Sequence, residues 1–255
     1  MRVMTFNLRR EIKEDQQNWT QRKTYAFQII QAHQPEIIGF QEVMPHMYED
    51  LKKELFHHYD YFGEFRSNDS DTEMEPIFFN KNSYTLIDAG SFMLSENPDE
   101  DYSIGWDAAF PRIASWVKLH NNEQKPYYII NCHFDHIGTV AREESSKLIL
   151  EKITELTQEF SLPAIIMGDF NTLPTEGWLD PLLNSRQLNN SYNHLKQTNP
   201  HKLLTFHEYK GTKEGLPIDH IFSTKDLEIQ QSQIIRDEFN GCYPSDHYPV
   251  IVDFE

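Results

Sequence analysis

Two periods share the chain. Met1-Arg2-Val3-Met4-Thr5-Phe6-Asn7-Leu8 reads as a strand, and helical spacing follows over about Trp19 to His33. In that helix Tyr25, Phe27, Ile29 and Ile30 supply apolar positions, Thr20 is the expected cap, and Pro35 is the stop. Ile37-Ile38-Gly39-Phe40 predicts a short buried strand ending at Gln41-Glu42, and Pro45 suits the first turn of a helix reaching about Phe56. Strands are expected at Pro76 to Phe79, Tyr84 to Met93, Ala114 to Leu119 and Tyr127 to Cys132, interrupted by acidic loops around Asp69-Ser70-Asp71 and Pro98-Asp99-Glu100-Asp101. A long helix is expected from about Val140 to Phe160. Ala164-Ile165-Ile166-Met167 then has the unbroken apolar character of a buried strand and ends in Gly168-Asp169. Late strands are expected at Ile218 to Ser223, Leu227 to Ile235 and Tyr248 to Phe254. Many strands with a few long helices fit an α/β (α+β) fold: two stacked mixed β-sheets flanked by helices, a four-layer α-β-β-α sandwich.

Composition narrows the class. The chain has 38% hydrophobic and 13% aromatic residues, too many for a disordered chain. There is no internal repeat and no Gly-, Ser- or Pro-rich linker, so residues 1–255 read as a single catalytic domain. Cys132 and Cys242 are too few for a disulfide framework. No apolar run reaches the ~20 residues of a membrane span, and the chain opens on a strand pattern rather than a cationic, apolar leader. These features predict a cytoplasmic protein with no membrane role and no obligate protein partner. With 23 Lys plus Arg against 40 Asp plus Glu, the net charge of −17 should repel nucleic acid and anionic membranes unless cations intervene.

Polar residues recur where apolar strands end. Asn7 ends the first and Glu42 follows the second. His133 follows Ile129-Ile130-Asn131-Cys132, while Asp169 and Asn171 follow Ile165-Ile166-Met167-Gly168. Asp219 and His220 open the strand with Ile221-Phe222, and Asp246 and His247 precede Tyr248-Pro249-Val250. Buried carboxylates cost several kcal/mol unless paired or metal-bound, so these groups need a common explanation. A cleft above the strand ends supplies one. Zinc is disfavoured, because there is no His-Glu-x-x-His helix or Cys-x-x-Cys pair. No Gly-x-Ser-x-Gly elbow and no Gly-rich phosphate loop with Lys are present, which argues against a serine hydrolase and a nucleotide-driven kinase or motor.

Thr5-Phe6-Asn7, Gln41-Glu42-Val43, Asn131-Cys132-His133, Gly168-Asp169-Phe170-Asn171, Ile218-Asp219-His220-Ile221-Phe222 and Ser245-Asp246-His247-Tyr248-Pro249-Val250 resemble the endonuclease/exonuclease/phosphatase superfamily from one end of the chain to the other. Its members include deoxyribonuclease I, abasic-site endonucleases, deadenylases, inositol polyphosphate 5-phosphatases and sphingomyelinases. The resemblance implies a deoxyribonuclease I-like fold and a phosphoester hydrolase using Mg2+, with Mn2+ as substitute. Oxygen ligands suit such a hard cation. The resemblance makes Glu42 the principal metal ligand, with Asn7 beside it and Asp246 on the far side. Asp169 orients or deprotonates the attacking water, and Asn171 donates to the phosphate. His247, paired with Asp219, stabilises developing charge or acts as acid/base, and His133 holds a second phosphate oxygen. For the general base, Asp169 is the first choice and the Asp219–His247 pair the second.

Three further candidates are weighed against plainer readings. Glu73 fits the place of a glutamate that orients His133, with Glu75 as competitor and a solvated acid as the alternative. Arg112, in Gly105-Trp106-Asp107-Ala108-Ala109-Phe110-Pro111-Arg112, is a phosphate contact or a structural Arg. Trp106 and Phe110 are an aromatic wall or, more simply, packing. This segment and Thr205-Phe206-His207 resemble a bacterial subgroup of the superfamily, which adds His207 as a candidate. The expected substrate is a phosphorylated small molecule, favoured over nucleic acid by the acidic balance and the lack of a Lys/Arg cluster. A nuclease on the same scaffold is the alternative. A catalytically inactive binding module ranks low, since the full residue set is present.

Overall fold

The computed structural model describes residues 1–15, 17–198 and 201–255. Strand β1 (Arg2–Asn7) shows how alternation builds the protein. Val3 joins a central apolar cluster, whereas Met4 and Phe6, with Leu8 just beyond, join a second cluster under helices. Thr5 and Asn7 therefore share the inward face with Val3, because successive strand side chains point to opposite faces. The same rule runs through β2 (Ile37–Gln41), β3 (Tyr59–Phe62), β4 (Ile77–Asn80), β5 (Tyr84–Met93) and β6 (Ile113–Asn121). The remaining strands are β7 (Pro126–His133), β8 (Ala164–Asp169), β9 (Leu188–Asn190), β10 (Asp219–Thr224), β11 (Ile229–Ile234) and β12 (Val250–Phe254).

Among the described residues these strands form two six-stranded mixed sheets, ordered β11-β12-β1-β2-β4-β3 and β5-β6-β7-β8-β10-β9. Helices α1 (Trp19–His33) and α2 (Pro45–Leu55) cover the first through Ile29, Met47 and Leu51. Helices α3 (Thr139–Leu156) and α4 (Asp180–Leu183) cover the second through Ile149, Ile153 and Leu182. Val3, Ile37, Val117, Ile129, Ile165, Met167, Ile221 and Val250 fill the space between the sheets, and Leu195 of α5 (Ser191–Thr198) joins them. The result is the expected four-layer α-β-β-α sandwich.

A polar layer crosses this apolar middle just below the site. Gln41 Nε2 donates to Thr5 Oγ1 at 3.0 Å and to Asn131 Oδ1 at 2.6 Å, and Asn131 Nδ2 donates across to the carbonyls of Phe40 and Pro76. The sheets approach so closely there that a Cβ on Gly39 would meet Asn131 Oδ1 at 2.6 Å.

Three local expectations change. The cap of α1 is Asn18, not Thr20: its side chain accepts from the Gln21 N–H and Gln21 returns the bond, a capping box. Helix α3 ends at Leu156 rather than near Phe160, because Gln158, Glu159 and Phe160 turn to positive φ around the Thr157 hydroxyl. The stretch from Thr172 to Phe206, where no element is expected above, carries α4, β9 and α5; its residues 199 and 200 lie outside the described residues.

Candidate active site

Register brings the chemistry together. In the second sheet His133 pairs with Asp169 across β7 and β8, and Asp169 pairs with Asp219 across β8 and β10, so the three sit in one row at the strand ends. All three share the inward face with Ile129, Ile165 and Ile221, the alternation that buried those residues. In the facing sheet Asn7 pairs with Gln41, and the chain then turns at Glu42, whose φ of 59° swings its carboxylate toward the same end. Gly168 permits this row: its φ is 154°, and a Cβ there would lie 2.0 Å from the Cys132 carbonyl oxygen.

Asp169 is the hub. Its Oδ2 accepts from Asn7 Nδ2 at 2.9 Å and lies 3.6 Å from His133 Nε2 and 3.7 Å from His247 Nε2. Its Oδ1 accepts from the Asn171 backbone N–H at 2.9 Å. Burial, and then the neighbouring Asp219 charge, push this carboxyl up to about 7, against the opposing pull of His247, Asn171 and Asn7. His247 is also raised, but against burial rather than by it. Burial opposes its charge, but Asp219, bonded to Nδ1 at 2.9 Å, and Asp169 raise it to about 10. The His247 ring is thus held as an imidazolium. His133 is pushed well below its ordinary value by burial and by the guanidinium groups of Arg112 and Arg66, so it is neutral. Arg112 Nη1 stands 3.2 Å from its Nδ1 and Asn171 Nδ2 stands 3.0 Å from its Nε2.

Glu42 faces Asp169 across Asn7, whose Nδ2 also donates to Glu42 Oε1 at 3.0 Å. Burial alone would raise Glu42, yet the Arg10 backbone N–H, the Asn7 amide and the charges of His247 and Arg9 hold it below the usual carboxylate range. One donor atom each of Glu42, Asp169 and His133 lie within 4.8 Å of one another. Asp246 adds a carboxyl that burial and Glu42 raise, with Arg9 Nε at 3.5 Å. Two carboxylates packed this closely, with the charge of a third acting on Glu42's neighbourhood, offer hard oxygen donors that fit a divalent cation. Cys132, the nearest thiol in sequence, packs instead in the cluster under α3.

Glu42, His133, Asp169, Asn171, Asp246, His247, Arg112 and Glu73 line one cleft of about 640 Å³. Asn7 and Asp219 sit directly behind it, bonded to Asp169 and His247. The contacts of three candidates are specific. Asn7 Oδ1 accepts the Arg9 backbone N–H at 2.9 Å, and its amide nitrogen bridges two acids. Glu73 does not orient His133 but binds Arg10 at 2.5 Å and Arg66 at 2.9 Å. Glu75 lies nearer that ring, with Oε1 3.8 Å from His133 Nδ1 but no hydrogen bond to it, and burial pushes it up to about 8. His207 lies behind the cleft, stacked on Tyr248 at 3.8 Å; its backbone N–H donates to the Asp246 carbonyl and so steadies the loop.

The cleft also contains Arg9, Arg10, Arg66, His136 and Phe206, none of which the sequence reading selected. With Arg112, the arginines form the basic cluster that the linear sequence lacks. Arg9 and Arg10 were within reach of sequence reasoning, since they lie two and three positions after Asn7. Arg66 carried no such signal. His136 approaches Arg112, with Nδ1 3.0 Å from Nη2, and Phe110 lines the cleft while Trp106 does not.

Carboxylates and guanidinium groups lining one cleft suit one kind of reaction partner, a phosphoryl group held over a divalent ion. The protein is a metal-dependent hydrolase acting on phosphoester bonds. It belongs to the Endonuclease/Exonuclease/phosphatase family, whose profile matches residues 4–247. The mannosyl-6-phosphatase Bt3783 of Bacteroides thetaiotaomicron is 32% identical, with a TM-score of 0.91, covering 100% of this chain and 99% of that one. The uncharacterized protein L388 of Acanthamoeba polyphaga mimivirus is 31% identical over 93% of this chain and 92% of its own. The human Nocturnin catalytic domain, at 22% identity, shares the fold, with a TM-score of 0.79 over 100% of this chain and 94% of that domain. Among the described residues no helix is long and apolar enough to cross a membrane.

Proposed function

We propose that residues 1–255 form one catalytic domain that uses Mg2+, with Mn2+ as substitute, to hydrolyse the phosphoester of a small phosphorylated molecule. The observation that carries this reading is the position of Asp169 Oδ2, between the Nε2 atoms of His133 and His247 and linked through Asn7 to Glu42. Glu42, with Asp246 on the far side, would hold the divalent ion, which when bound polarises a phosphoryl oxygen. Asp169, raised toward neutrality, is the group to orient an attacking water and accept its proton. The His247 imidazolium, fixed by Asp219, donates to a phosphoryl oxygen as negative charge gathers there. Neutral His133 and the Asn171 amide face a second oxygen, and Arg112 sets the His133 ring.

A small substrate is favoured over a polymer by the net charge of −17, which would repel a long polyanion from the surface around the cleft. The mannosyl-6-phosphatase activity named for the Bacteroides relative makes sugar phosphates the first compounds to assay. The test is phosphate release from a panel of sugar phosphates, nucleotides, single strands and duplexes with Mg2+. We expect release from small esters, abolition by chelator and recovery with Mg2+ or Mn2+. Release that persists in chelator contradicts the metal, and strand cleavage with no small-ester turnover contradicts the substrate.

A further inference from the structure

Phe110 and Phe206 are 45% and 38% exposed, yet both line the cleft. An exposed Phe is ordinary on a surface; one fixed in place beside a reacting centre is not. Phe110 lies parallel to the His136 ring, 5.9 Å away at 14°, with the Arg66 guanidinium 5.6 Å from its centroid. Phe206 packs 4.9 Å from the His247 ring, and an antiparallel backbone bridge joins the two residues. Neighbouring backbone strengthens that clamp: His207 N–H donates to Asp246 and Tyr248 N–H to Thr205. The Thr205 hydroxyl also accepts from the N–H groups of Ile218 and Asp219.

Contacts link the two rings through the reaction centre rather than to each other. From Phe110 they pass through His136 to Arg112 and His133, then to Asp169, His247 and Phe206. A phosphoryl group over Asp169 would therefore lie between the His133 end, which leads to Phe110, and the His247 end, which carries Phe206. We propose that Phe110 and Phe206 are specificity walls that hold the ring of a phosphorylated sugar, so that cyclic sugar phosphates are selected over open-chain phosphate esters. Sugar C–H faces suit aromatic faces, and the lining carboxylates of Glu11 and Asp71 offer acceptors for ring hydroxyls. The proposal rests on the phosphoesterase reading above and deepens it by naming how the alcohol part is recognised.

The test separates binding from turnover. Asp169→Asn protein with Mg2+ is titrated calorimetrically with a hexose 6-phosphate and with glycerol 3-phosphate, alone and carrying Phe110→Ala or Phe206→Ala. Each Ala change is expected to weaken hexose phosphate binding about tenfold, the equivalent of ~1.4 kcal/mol. The loss for glycerol phosphate should be at least about fivefold smaller, and Phe206→Leu, which keeps an apolar face, should recover part of the hexose binding. In the turnover-competent enzyme the same changes should raise KM for the hexose ester more than they lower kcat. Equal losses for both esters, or a larger effect on nucleoside monophosphates than on hexose phosphates, would overturn the assignment. Ring-selective binding without turnover by the parent enzyme would instead defeat the catalytic reading and leave the walls standing.

Discussion

Asp169 and His247 both titrate above their ordinary values, for opposite reasons, because they face each other in a dry site. Asp169 is raised by burial and Asp219, and His247 is raised against burial by the acids around it. A histidine whose folded value exceeds its unfolded one contributes stability fully present below about 6.5 and lost as pH climbs through about 10. Asp169, with a folded value near 7, has already lost its proton across most of that window. In chelated protein the thermal midpoint should therefore fall between about pH 7 and about pH 10, by at least ~3 °C. Differential scanning fluorimetry should show the fall shrinking in His247→Gln; an equal slope in both proteins would remove the buried imidazolium from the account. Strand-end periodicity made these two residues legible. It failed at Glu73 and Glu75, which lie two residues apart: only the path of the chain before β4 decides which meets His133 and which meets the arginines.

The long elements were legible because their apolar spacing is sustained: α1, α2, β2, β5 and β8 fall within a residue or two of expectation. The short ones, β3, β9, α4 and α5, hold too few residues for a period to register. One bracing residue also escaped. Arg22 of α1, fully buried, donates from Nη1 to the carbonyls of Leu8 at 2.6 Å and Pro244 at 2.8 Å, and from Nη2 to Arg9 at 2.8 Å. A helix on the outer face of one sheet thus ties together the loops that carry Arg9 and Asp246. Sequence offered only a charged residue in an amphipathic helix, which ordinarily faces water. Arg22→Met keeps the stem and removes the donors, stranding buried carbonyls at a cost of roughly 2–4 kcal/mol. Urea unfolding should show that loss together with a lower kcat, whereas unchanged stability would mean the loops hold themselves.

At the scale of the whole molecule, a net charge of −17 coexists with a cleft lined by four arginines. Total charge was readable from composition; its sorting was not, because Arg9, Arg10, Arg66 and Arg112 come from three separate parts of the chain. Two sheets tied by the Gln41–Asn131 layer bring these segments to one end, together with Asp169 of β8, Asp219 of β10, and Glu42 and Asp246 in the loops beside the strands. The four-layer architecture therefore serves to make a concentrated patch of both signs from a chain that looks uniformly acidic. That convergence is tested most directly by a crystal grown with Mn2+ and inorganic phosphate, examined by anomalous scattering. The account predicts one manganese peak about 2.1 Å from a Glu42 carboxylate oxygen, with phosphate between His133 and His247. Manganese bound away from Glu42, or phosphate seated outside this cleft, would contradict it.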